Sequence, residues 1–158
     1  MNAYTVLQDH HKVIKGLVRK ISEAPAERQD VLDDLLVELD IHFRIEDDLY
    51  YPAMSAAGEL IAVAHAEHRQ VIDQLAVLLR TSPSAPGYDD EWHSFARVLE
   101  AHADEEERDM IPAPPPVQLS DEELDVLGNQ MAGRIKELRD STVHKLRVKG
   151  RKALLRAM

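Results

Sequence analysis

Apolar residues recur three and four positions apart along most of the chain, and each run ends at a proline or a Ser/Pro/Gly cluster. The first run, from about Tyr4 to Glu23, places Val6/Leu7, His10, Val13/Ile14, Leu17 and Ile21 on one face and ends at "EAPAE". A second, from about Ala26 to Tyr51, reads Leu32, Leu35, Leu39, His42, Glu46 and Leu49/Tyr50 and stops at Pro52. The third, from about Gly58 to Arg80, reads Ile61, His65, His68, Ile72, Leu75 and Leu79 before "TSPSAPGYDD". The fourth, from about Asp89 to Met110, reads Trp92, Phe95, Val98/Leu99, His102, Glu106 and Met110 and breaks at "IPAPPP". Runs of roughly 20 residues make helices about 30 Å long. Short links between them predict an all-α fold, an up-down-up-down four-helix bundle over residues 1–112.

Beyond the proline run, Ser120 followed three residues later by Glu123 is a capping box. It starts a fifth helix, about Asp121 to Arg139, whose face Leu124, Leu127/Gly128, Met131, Ile135 and Leu138 needs the outside of the bundle as a partner. A last amphipathic stretch comes after it, which Gly150 is expected to break. Residues 117–158 are thus expected to be a helical extension with a basic tail, packed on the bundle.

Composition narrows the function. The 158-residue chain has no cysteine, so disulfides, thiolate metal sites and Cys nucleophiles are excluded. Its formal charge of −10 argues against nucleic acid as a general partner. From Ser141 onward there are six Lys/Arg and no acid, so the preceding residues sum to −16 (−10 minus 6). That contrast suggests a basic tail docked on an acidic bundle. No apolar run approaches the roughly 20 residues of a membrane span, and the start has neither a basic nor an apolar leader segment, so a soluble cytoplasmic protein is expected.

The histidines change the picture most. Of eight, five (His10, His42, His65, His68, His102) fall on stripes otherwise filled by Leu, Ile and Val. One such histidine is usually a core residue satisfied by a hydrogen bond. Five, with Glu46 and Glu106 on the same faces, would be costly to bury unless something satisfies them together. They also share a level: His10 and His65/His68 come early in their helices, and His42/Glu46 and His102/Glu106 late in theirs, as alternating helix directions require. Residues four apart stack on one helix face about 6 Å apart along the axis. A His-x-x-x-Glu motif can therefore hold adjacent metals, with its carboxylate between them. Imidazole with carboxylate and no thiolate suits Fe, Mn or Zn better than Ca or Mg. A ferritin-type site would want more glutamates and fewer histidines.

With its stretches "HFRIEDDLYYPA" and "HADEEERDMIPA", the order His10 … His42-x-x-x-Glu46 … Glu67-His68 … His102-x-x-x-Glu106 resembles the hemerythrin-like (HHE cation-binding) family, most closely its mycobacterial type. The resemblance covers about residues 4 to 112. It implies two iron ions, a non-haem pair bridged by oxo and carboxylate groups. His10, His42, His68 and His102 would be the histidine ligands and Glu46 and Glu106 the bridging carboxylates. The chain departs from the oxygen-carrying hemerythrins in two ways. Its third-helix pair, His65 and His68, is three apart rather than four, and Glu106 follows His102 by four residues rather than five, with Glu105 and Glu107 beside it. His65 is therefore a further candidate ligand, and Tyr51 or Tyr50 a candidate to fill a position left by a missing imidazole. His11, about 100° around the helix from His10, is expected on the surface or behind the ligands; His93 and His144 are expected to be solvated. The acidic run Asp104–Asp109 offers carboxylates that can orient imidazole N–H groups. The expected partner is a small oxidant, O2, peroxide or nitric oxide. Peroxidase- or catalase-like redox chemistry on peroxide is the first reading, and an O2, nitric oxide or iron binding or sensing module without turnover the second.

Overall fold

The computed structural model describes residues 1–157, and among them there is no strand. The helices are α1 (Ala3–Glu23), α2 (Arg28–Ile45), α3 (Gly58–Arg80), α4 (Tyr88–Asp109), α5 (Asp121–Asp140) and α6 (Thr142–Ala157). Asn2 caps α1 by accepting the Thr5 N–H at 2.9 Å, and single turns at Pro25–Glu27 and Ser55–Ala57 form the first two corners. α1 pairs with α2 and α3 with α4, giving the expected bundle.

The apolar interior is split in two. One cluster gathers Ile14, Val18 and Ile21 with Leu35, Leu39, Val71, Leu75, Trp92, Phe95 and Leu99. The other gathers Leu7, Ile41, Ile45, Tyr50, Tyr51, Met54, Ala64 and Met110 with the inner face of α5. Between them, at His10 and His11 on α1 and at the same level on the other helices, lies a layer of buried histidine and glutamate.

α2 does not end at Ile45. Glu46–Tyr50 form a π turn in which the Tyr51 N–H bonds to the Glu46 carbonyl, and Tyr51–Ala53 add one more α turn. Pro52 has no N–H, and its ring would press on the carbonyl four residues back in a regular helix; a widened turn accommodates both. One extra residue in the turn rotates the positions beyond it by about 100°. Tyr51 therefore takes the position over Glu46 that a regular period assigns to Tyr50.

The extension is helical, as expected. Ser120 and Glu123 form the capping box. α5 lies along α1 and α2, and Gly128 sits where a Cβ would collide with the backbone of Met1, Asn2 and Ala3. α6 runs unbroken through Gly150, contrary to expectation. Glycine in a helix costs only about 1 kcal/mol relative to alanine, and the anchors to either side outweigh it. Arg151 pairs with Asp40, Lys152 with Asp33, and the Arg80 guanidinium donates to the Leu155 carbonyl. His144 is also an anchor rather than a solvated residue: it is buried, with Nε2 2.6 Å from Asp40. Among the described residues no helix is long and apolar enough to cross a membrane.

Candidate metal centre

Four helices supply the polar layer. The π turn carries Glu46 below His42, α4 brings His102 and Glu106, α3 brings His68, and α1 brings His11. Their donor atoms form two groups, each within 4.8 Å: His11, His42, Glu46 and Glu106, and then Glu46, His68 and His102. Glu46, fully buried, belongs to both. His11 Nε2 lies 3.1 Å from Glu106 Oε1 and His42 Nε2 3.3 Å from Glu46 Oε2. On the other side His68 Nε2 is 3.0 Å and His102 Nε2 3.8 Å from Glu46 Oε1. The Tyr51 hydroxyl closes that side, donating to Glu106 Oε2 at 2.6 Å and lying 3.2 Å from His68 Nε2.

Several positions differ from the sequence expectation. His11, expected outside, is buried in the four-donor group, whereas His10 is buried one step behind it, with Nδ1 2.9 Å from His42 Nδ1 and Nε2 2.8 Å from Glu38 Oε2. The inward stripe of α1 is Ala3, Leu7, His11, Ile14, Val18, Ile21; exposed Val13 and half-buried Leu17 had suggested the wrong phase. α3 is offset in the same way. Its inner line is Ala64, His68, Val71, Leu75 and Leu78, which leaves His65 half-exposed on the flank beside Asp47. Tyr50 points away from the layer and donates to the Met110 carbonyl at 2.6 Å. Of the acidic residues around Glu106, Glu106 itself is the buried one, and His93 is exposed as expected.

The donor set fits a cation. His11 Nε2, His42 Nε2, His102 Nε2, Glu46 Oε2 and Glu106 Oε1 are buried and close together, yet none is aligned in a hydrogen bond. Leaving each unsatisfied would cost about 1–3 kcal/mol. Burial pushes the His42 imidazole down to about 3, so it is neutral and keeps a lone pair. Burial also works against an ionised Glu46, but the surrounding imidazoles hold its carboxyl well below the usual range. Glu106 is pushed up to about 7 by burial and by the Glu46 charge beside it. Burial works against charged imidazoles at His11, His68 and His102, but the carboxylates beside them raise all three, His68 to about 9. The layer thus draws positive charge toward Glu46 and Glu106, and a bound metal can supply that charge in place of protons.

Three of these imidazoles have a carboxylate behind them, although none of the three outer nitrogens is aligned in a hydrogen bond. Glu107 lies 3.7 Å from His11 Nδ1, Glu67 3.7 Å from His102 Nδ1, and Asp47 3.2 Å from His68 Nδ1. Behind His42 the chain is longer. With His42 offering Nε2 inward, its proton sits on Nδ1 and is donated to His10 Nδ1. His10 then carries its proton on Nε2 and donates it to Glu38. Arg139 of α5 grips Glu38 through two hydrogen bonds of 2.7 and 2.9 Å. Such outer contacts set the tautomer and orientation of the imidazoles. Glu38 and the π turn were invisible in the sequence stripes, but the adjacent pair His10-His11 was a signal that two faces of α1 carry histidine.

Known proteins place this layer in context. Residues 2–113 match the hemerythrin HHE cation binding domain. The chain is 63% identical, over its whole length and theirs, to proteins named "Uncharacterized protein Rv2633c" of Mycobacterium tuberculosis (strain ATCC 25618 / H37Rv) and "Uncharacterized protein Mb2666c" of Mycobacterium bovis. A crystal structure of a hemerythrin HHE cation binding domain-containing protein, the Rv2633c homolog from Mycobacterium kansasii, superposes with a TM-score of 0.92 at 69% identity, covering 100% of this chain and 99% of that one. The chain belongs to the hemerythrin HHE cation-binding family, and its buried histidine and glutamate layer is that of a metal-binding protein.

Proposed function

We propose that the layer holds two irons and that the protein reacts with hydrogen peroxide or a similar small oxidant in a peroxidase- or catalase-like way. The carrying observation is the asymmetry around Glu46. On one side stand two imidazoles and Glu106; on the other stand two imidazoles and the phenol of Tyr51. His65, the candidate for a third imidazole on that side, stands outside the group beside Asp47. Bound iron supplies electron transfer to the oxidant, and the protein supplies everything around it.

Glu46, with one oxygen toward each group, would serve both irons, and His11, His42, His68 and His102 would hold them as imidazole ligands. Glu106 would serve the first group, and it accepts the Tyr51 hydrogen bond. Burial raises the Tyr51 phenol far above its ordinary range, and the Glu46 and Glu106 charges add to this, so the unliganded phenol keeps its proton. The hydroxyl, 2.6 Å from Glu106 Oε2 and 3.2 Å from His68 Nε2, would face a small molecule on the second side as a hydrogen-bond donor. The apolar clusters above and below exclude bulk water.

The test is to add hydrogen peroxide to iron-loaded protein and follow oxygen release and the near-UV and visible spectrum. Turnover over many equivalents is the expected result. A single stoichiometric spectral change that persists would make the protein a binding or sensing module for O2, nitric oxide or iron.

A further inference from the structure

His68 belongs to two sets of donors at once. Its Nε2 faces Glu46 and Tyr51 inside the layer, while its Nδ1 faces outward to Asp47 and lies in a group with His65. Asp47 Oδ1 is 3.2 Å from His68 Nδ1 and 3.3 Å from His65 Nδ1. The three donors lie within 4.8 Å of one another. His68 Nδ1 is buried and makes no hydrogen bond, despite its nearness to the carboxylate. This cluster forms the wall between the buried layer and an open cleft of about 530 Å³ that Asp48 and Asp73 also line.

We propose that Asp47, His65 and the outer nitrogen of His68 form a capture site for a divalent transition metal, from which the cation is passed to the buried layer. Two imidazoles and one carboxylate suit first-row metals such as Fe(II), Co(II) or Zn(II). The direction of transfer comes from the chemistry of one ring. A neutral imidazole has a single lone pair on nitrogen. While the inner position is empty, a cation in the cleft can take the place of a proton on Nδ1, which leaves to solvent, and the ring keeps its other proton on Nε2. Once Nε2 is engaged inside, the proton resides on Nδ1 and is donated to Asp47. The outer site is then left with His65 and a carboxylate already in use, and its hold weakens. Capture is strong when the layer is empty and weak when it is filled. This also accounts for a half-exposed His65 standing beside a metal layer to which it contributes no donor.

The route of loading, which rests on the buried layer being a metal centre, is tested by the rate of Co(II) uptake. Metal-free full-length protein is mixed with Co(II) in a stopped-flow instrument and the visible cobalt bands are followed. His65→Ala and Asp47→Asn are expected to slow uptake at least tenfold while reaching the wild-type cobalt count at saturating Co(II), and His65→Ala should also keep the wild-type melting temperature. Chelator-driven release from loaded His65→Ala should slow in parallel. Asp48→Asn removes the same charge from the same cleft and should stay within twofold of wild type. Unchanged rates in His65→Ala and Asp47→Asn overturn the proposal. So does equal slowing by Asp48→Asn, which would make the cleft a general field rather than a site. A lower final count in His65→Ala overturns it too, by making His65 a ligand of the inner layer. If wild type takes up no cobalt in the buried layer, the di-iron reading fails as well, and a single equivalent lost in His65→Ala would show the outer cluster acting alone.

Discussion

At the scale of residues, adjacent histidines on α1 have different work. His11 stands in the four-donor group and His10 stands behind His42. His11→Ala should lower the metal content of purified protein. His10→Ala should keep the full count at saturating metal but weaken affinity by roughly 10–100-fold, the usual effect of losing an outer partner of a metal-bound imidazole. Metal titration of both variants decides this; loss of metal in His10→Ala alone would reverse the assignment. The tyrosines divide in the same way. Tyr51→Phe should keep metal and fold but change the reaction with peroxide, and should abolish any visible phenolate-to-iron band of the ferric protein. Tyr50→Phe should leave chemistry and spectrum intact and cost about 1–3 kcal/mol for the unpaired Met110 carbonyl, read by denaturant unfolding. The sequence period made His42, Glu46, His68, His102 and Glu106 legible because each lies on a clear apolar stripe. It misassigned positions whose phase depends on one residue: Val13 and Leu17 masked the true α1 stripe, and the π turn exchanged Tyr50 for Tyr51.

At the scale of elements, the extension was readable as a helix from its capping box and as an acid-seeking tail from its charge, but its grip on the metal layer was not. That grip is the path Arg139–Glu38–His10–His42, which joins α5 to α2 and α1 through side chains distant in sequence. Burial would raise the Glu38 carboxyl, but the hydrogen bonds from His10 and Arg139 outweigh it and bring it down from 4.5 to about 2. A folded-state value below the unfolded one contributes stability that is fully present above about 4.5 and is lost as pH falls toward about 2. Wild type should therefore lose stability relative to Glu38→Gln across that window, as acid titrations of the two would show. Close contact matters at the other end of α5. Gly128→Ala places a methyl group against the backbone of Met1, Asn2 and Ala3, which cannot rotate away as a side chain would. Overpacking of this kind costs about 1–3 kcal/mol, and the melting curve of that variant should shift downward without change in metal content.

At the scale of the whole molecule, the fold is two apolar cores held apart by a polar layer that neither can absorb. The four-helix architecture and its common level were legible because alternating helix direction and residue position must agree on every helix at once. Which small molecule reacts there was not, since that depends on how a few donors are shared around Glu46. Stability and metal content are expected to rise and fall together. Stripping the metal should lower the melting temperature by many degrees, because clustered imidazole and carboxylate donors then remain buried without the cation that would satisfy them. The number and kind of metal atoms in the layer are the most direct measure of its role. Elemental analysis of protein expressed without added metal should find iron at two atoms per chain. A chain that contains no iron, or a single atom that Glu46→Ala leaves in place, would contradict a di-iron layer bridged by Glu46.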